Sequence, residues 1–234
     1  MPEKSHQWHR GMKGIRKEGE PVRDHSLWKQ FSRGAAMLAA VVMTVSIFSC
    51  AAPITHPVTL RDQGSGVGER YRGDVIALQP FADRRGVTDP HLVGNRVLGG
   101  GKKERYATIP IDVAGAVTRT VAERLERMGA RIIPLEGWNF SPEALTGPPE
   151  EARHRIGGEI SRLRCDAKKT LMGTTLRVEV ELVFFLGDRE ERQVNRRPVQ
   201  VQIERFEPIF KPETVERLVN EALADVMDRG LEAM

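Results

Sequence analysis

The sequence predicts an α/β (α+β) fold: a single two-layer sandwich in which two helices cover a mixed sheet that ends in an antiparallel meander. Two observations predict it. Apolar residues recur at helical spacing near residues 113–128 and 215–227, and the chain between them alternates apolar and polar residues over several stretches. The resulting order is strand, helix, strand, three strands, helix.

The first strand is the short apolar run in Asp74-Val-Ile-Ala-Leu-Gln-Pro-Phe-Ala-Asp83, ended by Pro80. A helix from about Pro110 to Met128 follows from Val113, Val117, Val121, Leu125 and Met128, with Pro110 suited to a first turn and Gly129 to a C-terminal stop. Arg131-Ile-Ile-Pro-Leu135 reads as a short strand, and a Pro-rich loop follows around 141–150. His154 to Cys165 is a strand whose apolar phase shifts between Ile160 and Leu163, which marks a bulge. Thr174 to Leu186 sets Leu176, Val178, Val180, Leu182 and Phe184 on one face and Arg177, Glu179 and Glu181 on the other. After the turn Gly187-Asp-Arg-Glu190, Pro198 to Phe206 alternates in the same way. Such alternation buries one face and wets the other, as antiparallel sheets do. The last element is a helix from about Pro212, with the stripe Val215, Leu218, Val219, Ala222, Leu223, Val226 and Met227.

The segment ahead of this domain has a different character. Residues 1–49 hold eight Lys/Arg against four Asp/Glu, and no charged residue occurs from Gly34 to Phe48. A basic stretch followed by such an apolar run has the flanks and length of a secretory signal. As a helix the run would reach about 22 Å, against about 30 Å of bilayer hydrocarbon, which is short for a permanent span. It ends in Ile47-Phe48-Ser49-Cys50, which resembles a lipobox, the processing signal of bacterial lipoproteins; Phe48 stands where small residues are usual. The resemblance implies cleavage before Cys50 and lipid on its sulfur. The predicted organisation is therefore a signal peptide over 1–49, a lipidated N-terminus and flexible tether over 50–73, and the α/β domain over 74–234. The tether reading rests on Pro53, Pro57, Gly64, Ser65, Gly66, Gly68 and Gly73, among which apolar residues occur only singly.

Charge removes one class of function. Subtracting the leader's eight basic and four acidic residues from totals of 36 and 32 leaves 28 of each from Cys50 onward. Binding to a phosphate backbone needs a surplus of Lys/Arg, so no nucleic-acid partner is expected of this neutral domain. Acylation of Cys50 would leave Cys165 alone, within a strand, where a small buried thiol is the ordinary reading.

The opening Val75-Ile-Ala-Leu-Gln-Pro-Phe-Ala-Asp-Arg84 looks like that of small periplasmic lipoproteins of the YajG type, and Gly94-Asn95, the helix ending at Gly129 and Gly158-Glu-Ile fit the same outline. The α/β module is also similar to those of the curli-secretion lipoprotein and the N-terminal domain of TolB. This resemblance covers roughly residues 74–230 and implies an envelope lipoprotein with no assigned chemistry. Ala51 and Ala52 follow Cys50 without an Asp, which in enterobacterial lipoproteins favours the outer membrane.

Catalytic patterns are not met. Leu98-Gly-Gly-Gly-Lys-Lys103 is glycine-rich and basic, but the P-loop needs Gly six residues before its Lys and Ser/Thr after, where Arg96 and Lys103 stand relative to Lys102. His56, His91 and His154 have no metal-ligand spacing. Glu179 and Glu181 share a strand face, but Arg177 shares it too, as in a solvated charge row. No catalytic, cofactor or metal residues are therefore assigned. What remains is the stretch from Asp83 to Ala107, read as one long loop whose Arg84, Arg85, Arg96, Lys102, Lys103 and Arg105 form a candidate partner surface. The expectation is a non-enzymatic lipoprotein facing the periplasm, held to the membrane by lipid on Cys50 and binding an envelope protein, a cell-envelope component or a second copy of itself. The alternative is a lipid-anchored enzyme or small-ligand binder with a site assembled from scattered residues.

Overall fold

The computed structural model describes residues 53–64 and 70–232; the predicted signal and Cys50 lie outside the described residues. Pro53–Met234 forms one compact unit. Its elements are β1 (Ile54–Val58), β2 (Val75–Leu78), β3 (Ala82–Asp83), β4 (Leu92–Val97), β5 (Lys103–Thr108), α1 (Val113–Arg127), β6 (Arg131–Pro134), β7 (His154–Lys169), β8 (Thr174–Asp188), β9 (Gln193–Glu207) and α2 (Glu213–Leu231). This is the predicted α/β sandwich, with one mixed sheet and two helices.

The long strand β7 is the hub. Along one edge it pairs antiparallel with β8, which pairs antiparallel with β9. Along the other it meets three short strands in turn, all parallel: β2 beside His154–Ile156, β3 beside Glu159–Ile160, β4 beside Cys165–Lys168. From β2 the sheet continues to β6, and from β4 through β5 to β1. The predicted bulge is present, as a register shift between Ile160 and Arg162.

Both helices pack by their predicted stripes. In α2, Val215, Leu218, Val219, Ala222, Leu223, Val226 and Met227 are all fully buried, against β8 and β9. In α1, Val113, Val117, Val121 and Leu125 are fully buried. This helix starts after Asp112, whose carboxylate accepts from the Gly115 N–H at 2.8 Å and satisfies one of the free donors of the first turn. Gly129 at φ +91° ends it. A second, smaller core of Ala77, Leu135, Trp138, Leu145 and Ala152 lies under residues 135–153. There the buried Arg155 ties the loop down, donating to the carbonyls of Ala144 at 2.8 Å and Pro148 at 3.1 Å.

Two expectations are corrected. Much of the segment read as a flexible tether belongs to the domain. Ile54–Val58 is the edge strand β1, parallel to β5. Val58 at its end and Leu60 beyond it are buried, the Thr59 N–H donates to Glu216 at 3.0 Å, and the Arg61 N–H donates to Asn220 at 3.1 Å. The stretch 83–107 is not one structureless loop either, because β4 and β5 form an antiparallel hairpin inside it. Its strand positions carry paired charges, Arg96 with Glu104 and Arg105 with Asp89, so it lacks the apolar alternation by which strands are recognised.

Candidate interaction surface

The six cations predicted to form a partner surface do not form one patch. Arg85 is turned inward with its side chain only 3% exposed. It donates to both carboxylate oxygens of Asp83, at 2.9 and 2.7 Å, and to the carbonyls of Leu92 at 2.6 Å and Pro90 at 3.0 Å. The hydrogen bonds from Arg85 to its carboxylate hold the Asp83 carboxyl below the usual carboxylate range. Arg84 lies 3.5 Å from Glu159, Arg105 pairs with Asp89, and Arg96 pairs with Glu104 at 3.2 Å. Only Lys102 and Lys103 stand exposed with no carboxylate partner among the described residues.

Glu179 marks a second charged cluster, on the wet face of the meander. Its side chain is 3% exposed and is gripped by Arg164 at 3.0 Å and Arg177 at 2.7 Å, with Arg162 at 3.5 Å. Burial raises its pKa, but the hydrogen bonds from Arg164 and Arg177 outweigh burial and leave it lowered. A carboxylate saturated in this way is an acceptor already in use, unsuited to take a proton from a substrate. Glu181, its predicted neighbour on that face, is only half-buried and stands outside this grip. Cys165 has no exposure, and burial, with Asp166 beside it, pushes its thiol up to about 12. No group of three or more metal-ligating side chains occurs among the described residues.

The sheet edges are guarded. Each of the edge strands β1, β6 and β9 contains a proline, at Pro57, Pro134 and Pro198. A proline removes one ladder donor and blunts pairing with a further strand.

The surface that departs most from an ordinary soluble domain is one rim of the sheet. The register places Ile54, Glu104, Arg96, Ala167, Leu176 and Arg205 in one row across β1, β5, β4, β7, β8 and β9. Just beyond that row lie the β4–β5 turn, the β7–β8 turn and the end of β9. Nine large apolar residues are exposed in the described structure, and six of them sit on this rim: Ile54, Val97, Leu171, Met172, Phe206 and Ile209. Leu171 and Met172 occupy the β7–β8 turn at 106% and 83% exposure, where polar residues are usual. Lys168 and Lys169 precede them, and Lys102 and Lys103 rise from the neighbouring turn; all four are exposed. Between the β7–β8 turn, Arg96 and the segment after β9 lies a groove of about 210 Å³, lined by Lys169, Thr170, Met172 and Phe210 among others.

Sequence reasoning found Lys102 and Lys103 but missed the rest of the rim. The signal was there in Lys168-Lys-Thr-Leu-Met-Gly173, two cations and two large apolar residues at a glycine-closed turn. Joining it to Ile54 and Ile209 requires the sheet register.

No protein-family model matches the chain, and no curated protein does. Solved structures resemble it distantly. Protein XCC0632 from Xanthomonas campestris, described under DUF330, is 11% identical over 75% of this chain and 91% of its own, with a TM-score of 0.48. The PelC dodecamer from Paraburkholderia phytofirmans is 15% identical over 70% of this chain and 91% of that one, with a TM-score of 0.36. Lipoprotein GNA1162 from Neisseria meningitidis is 11% identical over 66% of this chain and 99% of that one, with a TM-score of 0.34. At this distance the fold class stands on the strand pairing and helix packing themselves.

Proposed function

We propose that this chain is an exported bacterial lipoprotein, anchored by lipid on Cys50, whose domain binds an envelope protein or cell-envelope component instead of catalysing a reaction. The observation that carries the reading is Ile47-Phe48-Ser49-Cys50 at the end of an apolar run from Gly34 that contains no charge. The absence of Asp after Cys50 supports the outer membrane over the inner as the anchoring site, with the domain facing the periplasm. No helix among the described residues is long and apolar enough to cross a membrane.

The binding role is supported by the state of the polar groups. Glu179 and Asp83 are occupied by arginines, and Cys165 is buried as a neutral thiol. The wet face of β7–β9, with Arg162, Arg164, Arg177, Gln200 and Gln202, offers a broad polar surface for a protein partner.

Mass spectrometry of the N-terminal peptide from membrane-fraction protein tests the anchor. Diacylglycerol on a peptide beginning at Cys50 is the expected result. An unmodified peptide running through Phe48–Ala51 would overturn it. Recovery of one specific partner after crosslinking in intact envelopes tests the binding role, and its loss with Gln200→Glu, in a variant whose melting temperature is unchanged, would put the contact on this face.

A further inference from the structure

We propose that the rim formed by the β4–β5 turn, the β7–β8 turn and the end of β9 lies on an anionic phospholipid leaflet, inserting Leu171, Met172 and Ile209 while Lys102, Lys103, Lys168 and Lys169 meet lipid phosphates. The inference rests on the lipid anchor at Cys50 and adds a second, protein-borne membrane contact.

The first argument is where the chain leaves the domain. Strand β1 begins at Ile54 and runs parallel to β5, with Ile54 opposite Glu104, beside the β4–β5 turn. Cys50 is four residue steps before Ile54, so the lipid-bearing residue is at most about 14 Å from the rim. A tether reaching from 50 to 73 would have let the domain drift tens of ångströms away. The short link that the structure leaves holds this rim against whatever surface takes the lipid.

The second argument is chemical. Apolar side chains flanked by lysines suit the boundary between acyl chains and headgroups, because the lysine stems lie along apolar surface while the ammonium groups reach phosphate. The segments 53–54, 96–104, 168–174 and 206–213 hold six basic residues against three acidic ones, although the chain from Cys50 onward is neutral. Two of those acids are already engaged, Glu104 by Arg96 and Glu207 by Arg217 at 3.3 Å. The positive surplus is thus concentrated at the place where the anchor leaves.

The third argument is geometric. Six strands about 4.8 Å apart make the row roughly 24 Å wide, so the rim is a broad foot and not a single finger. The diacylglycerol at Cys50 holds one point of the chain, and a basic, apolar foot of this width adds a second contact that sets how the domain sits on the leaflet.

The test uses the full lipidated protein in vesicles of phosphatidylethanolamine and phosphatidylglycerol. An environment-sensitive fluorophore is placed at Leu171→Cys or, as the control at the far end of β8, at Glu191→Cys; native Cys165 is buried and does not compete. A nitroxide on the lipid acyl chain should quench the probe at 171 and not the one at 191. Aqueous iodide should quench the probe at 171 about tenfold less than the one at 191. Reversing Lys168 and Lys169 to Glu should restore iodide quenching at 171 while the protein stays on the vesicles. Equal iodide quenching at both sites in vesicle-bound protein would overturn the rim contact alone. A probe shielded from iodide but beyond reach of the lipid nitroxide would overturn it in favour of a covering second copy of the chain. Protein that does not co-sediment with vesicles and carries no lipid at Cys50 would overturn the anchor, and the rim contact with it.

Discussion

The guanidinium of Arg96 lies 3.7 Å from the centre of the Phe210 ring, a cation–π stack that joins the β4–β5 hairpin to the segment leading into α2. The same guanidinium donates to Glu104 at 3.2 Å and to the Thr174 hydroxyl at 3.1 Å. One side chain therefore fixes β4, β5, the start of β8 and the approach to α2 at the rim. Arg96→Met would fill much of the same volume but leave the largely buried Glu104 without its main partner. The expected cost is about 3 kcal/mol in chemical denaturation, the usual result of removing one member of a buried pair. Arg96→Lys should recover less than half of it, because an ammonium lacks the planar fork and stacks poorly.

Arg85 and the pair Lys102–Lys103 should respond in opposite ways to the same substitution. Arg85→Ser removes a buried guanidinium that holds Asp83 and two loop carbonyls, leaving a part-buried carboxylate unpaired. A loss of about 2–4 kcal/mol is expected. Lys102→Ser with Lys103→Ser touches solvated groups and should shift stability by under about 0.5 kcal/mol for each. Thermal melts of the two variants read this difference directly. Equal effects would mean that Arg85 is not the internal clamp that its hydrogen bonds describe.

The meander and both helices were legible in the sequence because their stabilisation is apolar and periodic. Val219 and Val180 announce themselves by the residues four or two positions away. Strands β1, β4 and β5 were not legible. In β5, Lys103 is exposed, Glu104 pairs with Arg96 of β4 and Arg105 with Asp89 of the preceding loop, and only the short run Tyr106-Ala107-Thr108 is buried. In β1, His56 is held by stacking on Tyr106 at 5.2 Å, a contact made only after long-range parallel pairing. The candidate surface was missed for the same reason. Its lysines and apolar residues come from four separate segments, and a sequence displays neighbours in the chain before neighbours in space.

Stability should fall in acid through two carboxylates. Hydrogen bonds from Arg85 hold the Asp83 pKa below its ordinary value; Glu179 is also lowered, burial opposing and the bonds from Arg164 and Arg177 prevailing. A group whose folded pKa is depressed contributes stability that is present above its unfolded pKa, near 4, and is lost as pH falls through the folded pKa. The wild-type melting temperature should therefore decline below about pH 4. The double variant Asp83→Asn, Glu179→Gln should be less stable at pH 7 and decline less steeply in the same window. Parallel pH profiles for the two proteins would remove these carboxylates from the account.

Gly94 decides whether the wing of β4, β5 and β1 can attach to the hub strand at all. It pairs with Cys165 on β7, and a Cβ built at Gly94 would stand 2.0 Å from the Cys165 carbonyl oxygen. That oxygen belongs to the backbone of the central strand and cannot swing aside as a flexible side chain could. Gly94→Ala must therefore push β4 from β7, and because β5 and β1 reach the sheet only through β4, the strain is carried by three strands together. The loss should be several kcal/mol, at the upper end of overpacking effects. Hydrogen exchange separates this from global unfolding: amides of β4, β5 and β1 should lose protection first, while β7, β8, β9 and α2 retain theirs. Uniform loss of protection across both groups would mean that the wing and the meander fold as one unit. Full protection at β4 would show that β7 yields to the added methyl after all.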